Sequence, residues 1–146
     1  MARNYQEEFN ELAGIFSAGW GEETPVAWPN VSYMPEQSVA WVRFNVLTGE
    51  AEQASIGAPG SNYFRYTGVI DIQVFVPTDA GEPAALALAD KALEIFHNAR
   101  ASGFMFSAGY VAGGGNASGL IVQNSSSSRG WAQKNVRIPY RRDTLK

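Results

Sequence analysis

The sequence predicts an α+β domain: a mostly antiparallel sheet with two helices packed on one face. Residues 4–19 and 83–96 repeat apolar side chains at helical spacing. Residues 39–47 and 70–77 alternate with a period of two. Three further apolar-rich stretches follow the second helical segment. The order therefore reads α-β-β-α-β-β-β, which puts both helices over one sheet face.

Asn4 caps the first helix, with Glu7 three residues on as its capping-box partner. Tyr5, Phe9, Leu12, Ala13 and Phe16 share one face, and Gly19 marks the end. The next stretch, "TPVAWPNVSYMPEQ", holds three prolines, which exclude a central strand and leave an edge segment or a shaped loop. In "VAWVRFNVL", Val42, Phe44 and Val46 face one way and Trp41, Arg43 and Asn45 the other. Residues 48–62 are polar and Gly-rich. They read as a long loop, an arm that orders against a neighbour.

Ile70, Ile72, Val74 and Val76 line one face of the following strand, with Asp71, Gln73 and Phe75 on the other. Pro77 stops the ladder because it has no N–H to donate. Pro83 opens the second helix, whose stripe is Leu86, Ala89, Leu93 and Phe96, and Gly103 is its expected stop. The remaining strand candidates are Phe104–Val111, Gly119–Gln123 and Trp131–Tyr140. "AGGGNAS" and "NSSSSRG" separate them as flexible loops, not domain boundaries.

One domain is expected over residues 1–146, with the loop at 48–62 and a basic segment at 129–146. Hydrophobic content of 45% and charged content of 17% describe a folded chain rather than a disordered one. No apolar run approaches the roughly 20 residues of a membrane span. The start, "MARNYQEEFNELAGIF", lacks the basic opening and apolar core of a signal peptide. Cysteine is absent, which excludes disulfides and thiolate metal sites and fits assembly in a reducing cytoplasm.

Charge is segregated. Residues 1–128 hold 5 Lys/Arg and 13 Asp/Glu, whereas residues 129–146 hold 6 Lys/Arg and only Asp143. A basic end on an acidic body suits nucleic acid, an acidic neighbour or another copy of the chain; the plainer reading is a solvated tail.

The chemical inventory is thin. His97, the single histidine, falls near the end of the second helix, where it suits a cap or the surface. A Cys-His site is impossible, and no nucleophile-elbow pattern supports a serine triad. "GGGN" at residues 113–116 lacks the Gly-Lys-Ser/Thr ending of a P-loop. Asp71, Asp79 and Asp90 are spread over different elements, a poor cation site. No catalytic, cofactor or metal residue is therefore expected.

Four tryptophans in so short a chain point elsewhere. A large aromatic on a sheet face not covered by helices either completes the core or meets another chain. Trp41, on the face opposite Phe44, and Trp131, beside the basic segment, are the candidates for contact. Arg43 and Arg137 join them by strand alternation. Arg141 and Arg142 lie beyond Pro139, where the last strand is expected to end.

The ordered set of "AWPN" at residues 27–30, the Trp41–Val42–Arg43 strand start, "RYTG" at residues 65–68, the alternating strand to Pro77, Gly81, and "LAD" at residues 88–90 resembles the tail terminator (tail-completion) proteins of long-tailed bacteriophages. The resemblance spans about residues 24–96. It implies a structural virion protein without cofactors: a homohexameric ring on the head-proximal end of the tail tube. Such a ring stops tube polymerisation and presents the docking surface for the head–tail connector protein, with the tail tube protein as its other neighbour. DNA passes through the lumen without sequence-specific binding. The resemblance further implies a virion location at the neck end of the tail, after assembly in the host cytoplasm and with no membrane involved. Two other readings stand beside it. One is a neighbouring head–tail connector or minor tail protein. The other is a nucleic-acid-binding module built on Arg129, Lys134, Arg137, Arg141 and Arg142, against which the overall acidity argues.

Overall fold

Two strands of 15 residues, β3 (Tyr63–Pro77) and β6 (Trp131–Leu145), pair antiparallel along their whole length at the centre of the computed structural model. The structure describes residues 3–35, 39–53, 55–58, 62–77, 82–101, 103–112 and 131–145. Helix α1 (Tyr5–Trp20) precedes β1 (Val26–Ala27) and β2 (Trp41–Gln53), and helix α2 (Glu82–His97) follows β3. Then come β4 (Phe104–Phe106) and β5 (Tyr110–Ala112), both paired to β6. The sheet order is β1-β2-β3-β6-β4, and only the β1–β2 pairing is parallel. The expected α+β architecture holds, with both helices on one face. The strand expected at residues 119–123 lies outside the described residues.

Alternation decides which residues meet the helices. Val42 and Phe44 of β2, Ile70, Ile72, Val74 and Val76 of β3, and Val136, Ile138 and Tyr140 of β6 form one core with Leu12, Phe16 and Trp20 of α1 and Phe96 of α2. Phe16 stacks on Trp20, Phe44 and Phe96 at its centre. The buried face of α2 is built on Ala85, Ala89 and Ala92, whereas Leu86 points outward. Small residues let the helix lie close to the sheet. Tyr5 likewise sits outside the expected α1 stripe.

Both helix ends depart from the sequence expectation. Asn4 caps α1 as expected, its side chain accepting from the Glu7 amide at 3.0 Å. The helix, however, runs through Gly19 to Trp20 and closes at Gly21, whose φ of 61° suits only glycine well. Gly19 serves packing instead: a methyl group there would sit 2.8 Å from Ile95 of α2. Helix α2 ends at His97, six residues before Gly103. Gly103 (φ 81°) instead leads into β4 and accepts a hydrogen bond from the Asp143 amide.

The segment after β1 is the shaped loop that its prolines require. Asn30 has φ 59°, and the Val31 amide bonds the Trp28 carbonyl, with Pro29 between. Proline followed by a left-handed asparagine is the signature of a type II turn.

Two strand expectations need correction. β2 does not stop at Leu47 but continues to Gln53, so residues 48–53 of the expected loop are strand. The polar alternation there carries no apolar signal because both of its faces are exposed. A bulge between Thr48 and Ala51 shifts the register. Likewise β6 continues past Pro139 to Leu145. The Pro139 carbonyl accepts from Ser107, so its missing N–H faces the gap where β4 has ended and β5 has not begun.

One buried network locks helix layer to sheet. Glu8 of α1, 1% exposed, takes two hydrogen bonds from the Arg3 guanidinium and one from the Tyr140 hydroxyl of β6. Arg3 also donates to the carbonyls of Gly49, in the bulge, and Thr67 of β3, each at 2.8 Å. Its cation lies over the rings of Tyr5 and Tyr66. Burial, then the bond to Glu8, pushes the Tyr140 phenol above its ordinary value and keeps it a neutral donor. Gly68 makes the room: a methyl group there would lie 2.6 Å from the Tyr140 hydroxyl.

Gly68→Ala should therefore displace Tyr140 and cost about 2 kcal/mol. For a chain of this size that is a Tm loss of roughly 5–8 °C in thermal unfolding followed by circular dichroism. An unchanged Tm would show that the Tyr140–Glu8 contact carries no weight.

Candidate functional site

No described helix covers the second face of the sheet. Strand alternation places Trp41, Arg43, Asn45 and Leu47 of β2 there, with Arg65, Thr67, Val69, Asp71, Gln73 and Phe75 of β3. From β6 come Trp131, Gln133, Asn135, Arg137, Pro139, Arg141 and Asp143. Five of the six candidate contact residues, Trp41, Arg43, Trp131, Arg137 and Arg141, thus share this face.

Arg142 does not. Its parity puts it on the helix side, where its guanidinium pairs with Glu7 and Glu11 of α1 and stacks over Phe104. It joins two layers within the chain, apart from the other five candidates. Lys134 behaves alike, pairing with Glu82 at the start of α2.

The two candidate tryptophans are covered within the chain. Trp41 is fully buried and Trp131 is 1% exposed. They form a second, smaller apolar cluster with Phe75 and Ala27, and Tyr33 packs against it. The Trp41 ring stacks on Phe75 at 4.2 Å and meets Trp131 edge-on at 6.1 Å. They complete a core on this face rather than offering bare aromatic surface. Trp28 belongs to the main core instead, against Phe44 and Phe16.

What remains open is polar. Arg43 lies over Trp41, with its charged carbon 5.6 Å from the ring. Arg65 forms a two-pronged pair with Asp143, at 2.9 and 3.2 Å. That hydrogen-bonded guanidinium holds the Asp143 carboxyl below its ordinary range. Asp71 is only 8% exposed, and its nearest cation, the Arg137 guanidinium, stands 3.6 Å away. Burial raises the Asp71 carboxyl, and Arg137 only partly opposes this.

Unmet hydrogen bonds gather here. Among the described residues, the buried side-chain polar atoms without a hydrogen-bond partner are Trp41 Nε1, Trp131 Nε1, Arg137 Nε, Arg141 Nε, Asp71 Oδ1 and Thr144 Oγ1. All except Thr144 belong to this face, and four of those five are donors. Two of these donors face carboxylates across longer gaps, Arg137 Nε with Asp71 Oδ1 at 3.6 Å and Arg141 Nε with Asp143 Oδ2 at 4.0 Å, and both arginine side chains remain partly exposed.

The acidic residues weighed as a cation site do not come together. Asp90 lies on α2, across the sheet from Asp71, and Asp79 falls outside the described residues. Among the described residues no group of three or more His, Cys, Asp or Glu could hold a metal. No helix among them is long and apolar enough to cross a membrane. The exposed His97 closes α2, at the negative end of the helix dipole. Sequence alternation alone placed Arg43 and Arg137 on this face. Asp71 stood in the same pattern but gave no signal of its burial.

Asp71→Asn should leave the fold at least as stable as the parent at pH 7. A carboxyl raised in the folded state contributes stability below its unfolded value, near 3.9, and loses it as the pH rises. The variant's advantage should therefore appear only above about pH 4 in Tm measured across pH 3–8. A variant clearly less stable at pH 7 would show that the attraction of Arg137 outweighs burial.

The family model described as phage tail terminator protein matches residues 9–140. One solved structure superposes with a TM-score of 0.54 at 16% identity, covering 94% of this chain and 95% of that one; at that identity the likeness shows the fold alone. No curated protein sequence matches. Tail terminators are structural parts of a phage tail, and a match over all but the two ends of the chain carries that role class with it. The chain belongs to the phage tail terminator protein family.

Proposed function

We propose that six copies of this chain form a closed ring on the head-proximal end of the tail tube. The ring stops the tube protein from adding further subunits and presents the surface on which the head–tail connector docks. DNA passes through its lumen without sequence-specific contacts. Assembly takes place in the host cytoplasm, and the protein ends at the neck of the virion tail. The observation that carries this reading is the family match over residues 9–140.

The geometry supports it in physical terms. A ring needs contacts that are heterologous and that close, so each copy must present two different complementary patches. The partly exposed Arg43, Arg137 and Arg141 on the helix-free face form one surface fitted to carboxylates or carbonyls of a neighbouring protein. Each such exposed pair contributes only about 0–1 kcal/mol. Six-fold repetition turns a small term into a useful one and makes joining salt-sensitive. A lumen through which DNA slides is better served by arginines engaged with protein than by free ones.

Tails assembled without this protein should carry tubes longer than normal that fail to join heads. Purified protein should then cap them as a ring of about 95 kDa, six copies of the 15.8 kDa chain. Electron microscopy of tube lengths checks this, and tubes of normal length in its absence would contradict it. The triple variant Arg43→Gln, Arg137→Gln, Arg141→Gln should remain folded but join heads poorly, with parent-level joining at every salt concentration as the contrary result.

A further inference from the structure

We infer that the outer stripe of α2 of one copy packs on the helix-free sheet face of the next copy. This rests on the ring reading and names the contact that builds the ring.

The helix-free face carries an apolar row across three strands. Leu47 stands opposite Val69, and Val69 opposite Pro139. Leu47 is 44% exposed, and Val69 and Pro139 are half-buried. Strand register adds two exposed apolar side chains on the same face, Tyr110 opposite Arg137 and Met105 opposite Arg141. Arg137 and Arg141 lie two residues to either side of Pro139, so the apolar row runs between two cations. Four residues of strand separate them by about 13 Å.

Neither cation is fully engaged within the chain. Arg137 stands 3.6 Å from Asp71 and Arg141 4.0 Å from Asp143, and both side chains are partly exposed. Asp143 is already held by the two-pronged pair with Arg65, which leaves Arg141 the freer of the two.

Helix α2 presents the complement on the opposite side of the domain. Its buried face is Ala85, Ala89 and Ala92, and its outward stripe holds Glu82, Leu86 and Asp90, one turn apart and all exposed. Two carboxylates thus flank one leucine over a span of about 12 Å, which matches the span of the two arginines about Pro139. Glu82 pairs with Lys134 yet keeps most of its side chain exposed. Asp90 has no cation within ion-pair reach among the described residues. The freer acid then meets the freer cation, Asp90 with Arg141, while Glu82 approaches Arg137 and Leu86 covers Val69 and Pro139. DNA phosphates would suit the arginines but not the apolar row between them; the helix stripe suits both.

The two patches lie on opposite faces of one two-layer domain, so a single copy cannot bring them together. The contact is heterologous and passes from copy to copy, as a ring requires.

The chain has no cysteine, so single-cysteine variants give an unambiguous cross-link. Leu86→Cys and Val69→Cys copies should be mixed on tail tubes and treated with a short bismaleimide. Cross-linked dimers are expected from the mixture and from neither variant alone. Asp90→Arg, an exposed helix substitution whose folding circular dichroism checks, should lower ring assembly about ten-fold, and adding Arg141→Glu to it should restore assembly. A ring that assembles without the mixed cross-link overturns this contact and leaves the ring reading intact. Val69→Cys copies that cross-link to one another point to a two-fold contact and overturn it as well. Arg141→Glu copies that form normal rings but lose retention of a double-stranded DNA oligonucleotide assign the face to DNA and also overturn it. Absence of any ring on the tubes overturns both readings.

Discussion

The fold depends on one buried charge. Glu8 lies beneath α1 with almost no exposure, and a carboxylate in that position is tolerable only when it is fully paired. Arg3 and Tyr140 supply the pairing, and each ties a different part of the molecule to it. Arg3 brings in the β2 bulge through Gly49 and the β3 strand through Thr67. Tyr140 brings in β6, and lies flat over the sheet because Gly68 has no side chain. Removing Arg3 or Glu8 alone would leave the other's charge unpaired, a cost of about 3–5 kcal/mol in comparable cases. The network thus sets how the helix layer sits on the sheet, and hence which face of the sheet is left over.

That leftover face carries most of the candidate contact residues. The two 15-residue central strands carry apolar side chains on the helix side and a mixture of arginine, aspartate, amide and tryptophan on the other. A small aromatic cluster of Trp41, Phe75 and Trp131 stiffens one end of it. Around that cluster lie Arg43, Arg137 and Arg141, each partly exposed. Their exposed guanidinium nitrogens can take acceptors from a neighbouring protein. Membership of a structural family fits a chain whose unused chemistry is of this kind.

Much of this was legible from alternation and punctuation. The helix cap at Asn4, the core faces of β2 and β3, and the orientation of Arg137 all follow from periods of 3.6 and 2. The failures have physical causes. Residues 48–53 read as loop because a hairpin exposed on both faces carries no apolar pattern. Arg142 read as a partner of Arg141 because Pro139 implied the strand's end. In fact the proline's missing donor faces a gap between β4 and β5, the strand continues, and parity sends the two arginines to opposite faces. Trp41 and Trp131 are on the expected face, but periodicity does not reveal that Phe75, Ala27 and Tyr33 close over them. The Glu8 network was invisible, because a glutamate three residues before Glu11 on a helix looks like a solvated face until its partners are located.

The proposed role turns on a closed six-fold ring at one end of the tail. A reconstruction of intact particles by electron cryo-microscopy, focused on the neck, would show that ring in place. Six copies of this chain are expected at a single level, between the last tube ring and the connector. Copies found along the tube, at the tail tip or around an axis of another order would contradict it.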